Sequence, residues 1–243
     1  MAIALSQFVS GTAGGVSSVN VLFSSAVTAG NSIMLAAGYF ASGGGAPFST
    51  LVDPVNAAGY ASRIHSTMSN AADAQAHLVM HDKLNFSSGR AASTYRISLN
   101  ASAAAGLTLC AMEWAGGPFT SGSTAVANGT STGPLAGAVT ASSTPAVFVC
   151  AAINNSTATF NSTVGAGGPA KYLTTVDPTN ANQVLNVIYS LNSSLQQNPM
   201  HSMNTSTRWL AGVVVYMGAG GGGAVATGSP WQMAMMGIQD KVY

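Results

Sequence analysis

The sequence predicts an all-β fold: an antiparallel, jelly-roll-like β-sandwich of about eight to ten strands, built from two similar halves. Three observations predict it. Most segments alternate apolar and polar residues with a period of two, four runs are almost continuously apolar, and the order of these parts recurs along the 243-residue chain.

In chain order, "SSVNVLFSSAV" places Val19, Val21 and Phe23 on one face. "SIMLAAGYF" (32–40) is apolar throughout and reads as a strand buried on both faces. The Ala-rich piece 70–78 is the one stretch expected to form a helical turn or two. Next, "STYRISLN" turns Tyr95, Ile97 and Leu99 inward and Arg96, Ser98 and Asn100 outward. The run "GLTLCAMEW" (106–114) is again a central strand, followed by "AVFVCAAI" (146–153). "QVLNVIYSLN" alternates with Leu185, Val187, Tyr189 and Leu191 inward, which predicts a wet opposite face, and "LAGVVVYM" (210–217) is the fourth apolar run. Clusters of Gly, Ser, Thr, Asn and Pro separate these pieces, as turns require.

The recurrence is visible in the residues. "VTAGNSIMLAAGYF" matches "VTASSTPAVFVCAAI", and "LVDPVNAAGY" matches "TVDPTNANQV". "LCAMEWAGG" matches "VVVYMGAGG". The chain therefore divides into a sandwich domain, 1–218, with halves at about 16–117 and 139–218, and a C-terminal segment, 219–243. Asp53 and Asp177 read as turn residues, since Pro presets φ and the Asx side chain caps backbone N–H groups.

Charge is scarce. Seven basic and six acidic residues make 5% of the chain, where a soluble domain has roughly 25%. Over the roughly 10,000 Å² such a chain exposes, that is about one charge per 800 Å², one partner's share of a standard interface. A surface like this is cheap to desolvate and poorly defended against association. A net charge of +1 with scattered Lys and Arg predicts no nucleic-acid partner. No apolar run approaches a bilayer span, so no membrane partner is expected. The N-terminus "MAIALSQFVSGTAGG" lacks the basic start of a signal peptide. Segment 219–243 pairs a Gly-rich tether with "WQMAMMGIQDKVY". Its Trp231, Met233, Met235, Met236, Ile238 and Tyr243 suit an assembly arm that crosses to a neighbour, in preference to folding back.

Candidate chemistry is thin. His77 and His81 share a strand face and could contribute to a metal site only with a third ligand; His65 and His201 are the spare histidines. Surface histidines are the plainer reading, and no metal or cofactor is expected. Cys110 and Cys150 lie in apolar runs and read as buried free thiols. Glu113 sits on the face of Leu109 and Ala111, opposite Cys110, Met112 and Trp114, and is expected to accept hydrogen bonds from backbone or an Arg. A glycosidase would need a second carboxylate facing it. No catalytic residues are assigned, and no enzymatic activity is expected.

The succession "VTAGNSIMLAAGYF", "LVDPVNAAGY", "YRISLNASAAAGLTLCAMEWAGG", "VTASSTPAVFVCAAI" and "RWLAGVVVYMG" resembles a lectin-like or jelly-roll sandwich domain of tailed-phage virion proteins and some bacterial surface proteins. The resemblance covers about residues 16–218; Thr144-Pro145 stands where that domain usually has a Gly-Asp pair. It implies a virion structural protein: a head-attached decoration subunit or tail-fibre component, assembled in the host cytoplasm with copies of itself or virion partners such as the major capsid protein. The alternative is a carbohydrate-binding adhesion module whose surface-glycan contacts would be Tyr60, Trp114 and Trp209.

Overall fold

The computed structural model describes residues 2–42, 48–52, 60–69, 74–89, 91, 96–154, 158–166, 170–176, 184–192 and 196–218. Among them are fourteen strands and no helix. The first half supplies β1 (Ala4–Leu22), β2 (Ser32–Ser42), β3 (Phe48–Val52), β4 (Ala61–Ser69), β5 (Ala74–Lys83) and β6 (Arg96–Ala115). The second supplies β7 (Phe119–Ser131), β8 (Val139–Thr140), β9 (Ala146–Asn154), β10 (Phe160–Ala166), β11 (Ala170–Val176), β12 (Val184–Asn192), β13 (Gln196–Met203) and β14 (Thr207–Gly218).

Two antiparallel sheets face each other, one in the order β1-β6-β2-β5-β4 and the other β11-β12-β9-β14-β7. Their ten strands agree with the sandwich expected from the sequence, and all four continuous apolar runs take inner positions. β3, β8, β10 and β13 are additional. The Ala-rich piece departs from expectation: from Ala74 onward it is strand β5, paired with β2 and β4. Alanine favours helix only weakly, whereas Ala76, Leu78 and Met80 alternate with His77, Val79 and His81 at strand period. The alternation wins.

The two halves are topological copies. β1, β2, β4, β5 and β6 correspond in position and in chain order to β7, β9, β11, β12 and β14. Across the sandwich β1 lies over β11, β6 over β12, β5 over β9 and β4 over β7. The correspondence exchanges these contacts among themselves, β1 over β11 with β7 over β4 and β6 over β12 with β14 over β5, the arrangement of an internal two-fold. One part of the sequence match does not follow this symmetry. The first Asp-Pro segment comes after β3 and the second after β11, whose counterpart is β4. Asp53 and Asp177, expected from the sequence to be turn residues, lie outside the described residues.

Three apolar layers result. Between the sheets lie Met34, Leu78, Met80, Met112, Trp114, Val149, Ile153, Leu185, Val187, Leu210 and Tyr216. The outer face of the first sheet carries Ile33, Leu35, Tyr39, Val79, Leu107 and Leu109, and Val19, Val21, Ile97 and Leu99 cover it. Those last four belong to the far ends of β1 and β6, so the two-strand ribbon bends back over its own sheet. Register shifts between Ala13 and Ser18 mark the bend. At Gly11 an added Cβ would come within 2.9 Å of Val21, so glycine is needed where the ribbon closes on itself.

On the second sheet, Phe148, Cys150, Ala152, Ile188 and Val213 are covered by Val139 of β8, Phe160 of β10 and Met203 of β13. The sheet β10-β13-β8 forms this outer layer. It also changes β12: Asn186 and Ser190, expected to be wet, are buried.

The inner layer interdigitates tightly at Gly212. A Cβ there would approach Ile64 Cδ1 to 2.8 Å and Leu78 Cδ2 to 3.3 Å across the sandwich. Replacing Gly212 by Val is expected to lower stability by about 2 kcal/mol through overpacking. Urea unfolding reads this as a lower midpoint at unchanged slope; Gly212→Ala should lose less, because Ile64 meets it with the end of a flexible side chain.

Candidate functional site

The polar groups inside the layers are held by specific partners. Glu113 Oε1 accepts from the Thr28 backbone N–H at 2.8 Å and from Asn31 Nδ2 at 2.6 Å. Its Oε2 accepts from Gln7 Nε2 at 2.5 Å. As expected it lies on the Leu109/Ala111 face and accepts from backbone, but amides take the place of an arginine. Asp82 is buried between the sheets, bound by Arg63 through Nε at 2.5 Å and Nη2 at 3.0 Å. Burial, with Asp82 beside it, pushes the Tyr216 hydroxyl well above its ordinary pKa, and that hydroxyl bonds the same carboxylate. This clamp joins β4 and β5 to β14.

Beneath the outer layer of the second sheet, His201 Nδ1 lies 2.7 Å from Asn186 Oδ1 and Nε2 lies 3.1 Å from Cys150 Sγ. The amide oxygen can only accept, so Nδ1 carries the proton and Nε2 receives the thiol hydrogen. Thiol, imidazole and amide in this order activate the nucleophile of cysteine hydrolases. Here all three side chains are buried, and burial pushes the Cys150 thiol up, away from the reactive thiolate. The trio is a structural tie. No local pattern announces it, because only the docking of β13 brings His201 to β9 and β12. Cys110 faces the inner layer, on a different sheet from Cys150, and both thiols are free.

The structure does bring His65 to the His77/His81 pair. It sits opposite Val79 on β4, and its ring centroid is 6.1 Å from that of His77. Yet His77 and His81 are four residues apart on a strand, about 13 Å at the backbone, and Val79 stands between them. Among the described residues no group of three or more His, Cys, Asp or Glu is placed to hold a metal ion. Nor are the two surface histidines. His77 is buried, stacked on Tyr39 at 4.1 Å, with Thr67 Oγ1 at 2.9 Å from Nδ1, and His81 is buried too.

Of the proposed glycan contacts, Trp114 is fully buried and packs edge-on against Tyr189 at 5.0 Å. Trp209 is 7% exposed; its Nε1–H donates to Ser131 Oγ and its ring lies against Gly129. Neither offers a ring face to a sugar. Trp114 is buried between the sheets and Trp209 beneath the outer layer of the second sheet, so neither stands as a glycan contact. Tyr60 alone is half-buried, against the outer layer of the first sheet. The arm residues Trp231, Met233, Met235, Met236, Ile238 and Tyr243 lie outside the described residues.

What the sequence reading missed is where the charge-free surface falls. The four outermost strands of the facing sheets are β1, β4, β7 and β11. β4 carries Arg63 and His65, and β11 carries Lys171. β1 and β7, internal counterparts of each other, contain no charged residue or histidine over their 19 and 13 residues. The large apolar side chains that stand exposed among the described residues are Phe8, Val16 and Leu22 of β1 and Val126 of β7. The signal was legible in residues 4–22 and 119–131 as two long stretches without charge.

No family model, curated protein or solved structure matches the chain. The likeness to virion sandwich domains therefore rests on the residues quoted for it.

Two outcomes test the buried polar groups. Glu113→Gln replaces an acceptor oxygen with a donor facing other donors, and should cost about 2 kcal/mol in chemical unfolding. Burial, with His65 adding to it, pushes His77 and His81 down to about 4, and burial pushes His201 down to about 3. The unfolded chain takes up these protons near pH 6.5 while the folded chain does not. Stability therefore falls as pH drops from 6.5 towards 4, with about three protons bound on unfolding, measurable from the pH dependence of the unfolding free energy.

Proposed function

We propose that this chain is a non-enzymatic structural subunit of a virion, a head-decorating or tail-fibre component of a tailed phage, which assembles through its uncharged strand edges and its C-terminal segment. The observation that carries the reading is the pair of unguarded edges. Folded monomers ordinarily blunt an exposed edge with Lys, Pro or an inward charge, because its open N–H and C=O groups pair with other chains. β4 and β11 follow that rule; β1 and β7 do not, and they expose apolar side chains as well. The sparse charge of the whole chain offers little repulsion to an approaching copy or to a capsid protein. The virion setting comes from the likeness of the quoted motifs.

Sedimentation velocity over a rising concentration series of the full chain tests the reading. Association is expected, and Val126→Lys, at an exposed position, should weaken it tenfold or more while leaving the far-ultraviolet circular dichroism unchanged. A chain that remains monomeric at millimolar concentration and fails to bind purified capsids overturns the proposal.

A further inference from the structure

We propose that residues 231–238 of one copy, "WQMAMMGI", add as an antiparallel strand to the open edge of β1 in a neighbouring copy. This rests on the assembly reading above and names the contact through which the arm acts.

The edge is suited to it. Among the described residues β1 pairs with β6 alone, leaving its other side free to form a ladder. It contains no proline and no charge, and Phe8 stands 47% exposed in the stretch before the bend. Side chains tie both unguarded edges to neighbouring backbone, Gln7 of β1 to Ser25 and Ala26 and Ser123 of β7 to Thr140 in β8, but β1 is the longer of the two and carries the exposed aromatic ring. The segment fits the edge in kind: residues 231–238 carry no charge and no proline, and Pro230 before them and Asp240 after them bound the run. As a strand it would set Trp231, Met233 and Met235 on one side, where thioethers and an indole can meet an aromatic ring such as Phe8.

The place where the described chain ends favours a neighbour's β1, although the linker fully extended, at about 40 Å, could also reach along its own. Gly218 donates its N–H to the Pro145 carbonyl at 3.0 Å, and a Cβ on it would stand 3.3 Å from Ile3 Cδ1. The described chain therefore ends beside the start of β1. Twelve residues, 219–230, then precede the segment, and a Gly-rich chain of that length spans about 20 Å. To pair antiparallel with its own β1, the segment must enter at the Ala13 end, about 30 Å from Ala4, and run back. Parallel pairing avoids that journey but is weaker per residue. A neighbour whose β1 runs the other way past the same corner meets neither obstacle.

The test uses the full-length chain at a concentration where it associates. Hydrogen exchange is followed in peptides from residues 4–13 for the natural sequence, Met235→Pro and Met235→Leu. Proline cannot donate to the ladder, so exchange there should quicken at least tenfold in Met235→Pro and stay slow in Met235→Leu, with β9 and β14 peptides unchanged in both. A second measurement mixes isotopically heavy chain carrying Phe8→Cys with light chain carrying Met233→Cys and oxidises the mixture; disulfides joining heavy to light chains are expected. Exchange in residues 4–13 indifferent to Met235→Pro overturns the inference, as do links absent between heavy and light chains. If sedimentation meanwhile shows association, the assembly reading survives and only the docking edge is wrong. If no association occurs, both fall.

Discussion

The central strands β2, β6, β9 and β14 are apolar on both faces, and the rest of the molecule is arranged to keep water from them. A two-sheet sandwich buries only one face of each sheet. β9 shows what that would leave uncovered, for every residue from Ala146 to Asn154 is buried. Each large apolar side chain left in water would forgo about 1.5–3 kcal/mol of burial, so a bare outer face with half a dozen of them forgoes about as much as the whole stability of a typical domain. The two halves meet this demand differently. The first folds its long β1–β6 ribbon over its own sheet, whereas the second lays the separate sheet β10-β13-β8 on top. Symmetry holds in the facing sheets and lapses in their covers.

Layers this apolar could slide past one another, because close-packed hydrocarbon gives many near-equivalent registers. The buried polar groups occupy the places where that freedom would be costly. Glu113 ties the Thr28–Asn31 turn and the start of β1 to the end of β6. Asp82 joins the first sheet to β14 through Arg63 and Tyr216. His201 links the outer layer to β9 and β12. Each joins two pieces of the fold, and any shift by one residue would strand a buried donor or acceptor. With so few charges available, neutral amides and a thiol do much of the work that ion pairs would do elsewhere.

Much of this was legible in the residues. Alternation placed Glu113 on the Leu109 face and Trp114 opposite it, and both placements stand. Trp114 fails as a glycan contact because it lies in a run that reads as buried on both faces, and the structure buries it fully. The Asp-Pro match pointed to the duplication but not to equivalent places in it, since one segment follows β3 and the other β11, whose counterpart is β4. The Cys150–His201–Asn186 tie left no trace in the sequence at all. Its members come together only because β13 lies across two other strands, and packing of one sheet on another has no period for a linear sequence to display.

The distribution of edge charge follows from the duplication. A single half presents two edges, one of β1 type and one of β4 type. Facing two halves through a two-fold places β1 beside β11 on one flank and β7 beside β4 on the other. Each flank thus combines one guarded and one unguarded edge, and the unguarded pair stand on opposite flanks. A contact formed at one flank leaves the other available, so association through both kinds of edge extends from copy to copy, and closes only if the rotation between neighbours brings the ends together. A contact of β1 with β1 would instead end at a dimer. Repeated copies on a surface, or along a fibre, need the first kind of valence. On the proposed reading, that valence would come from the internal two-fold with an uncharged strand on each flank.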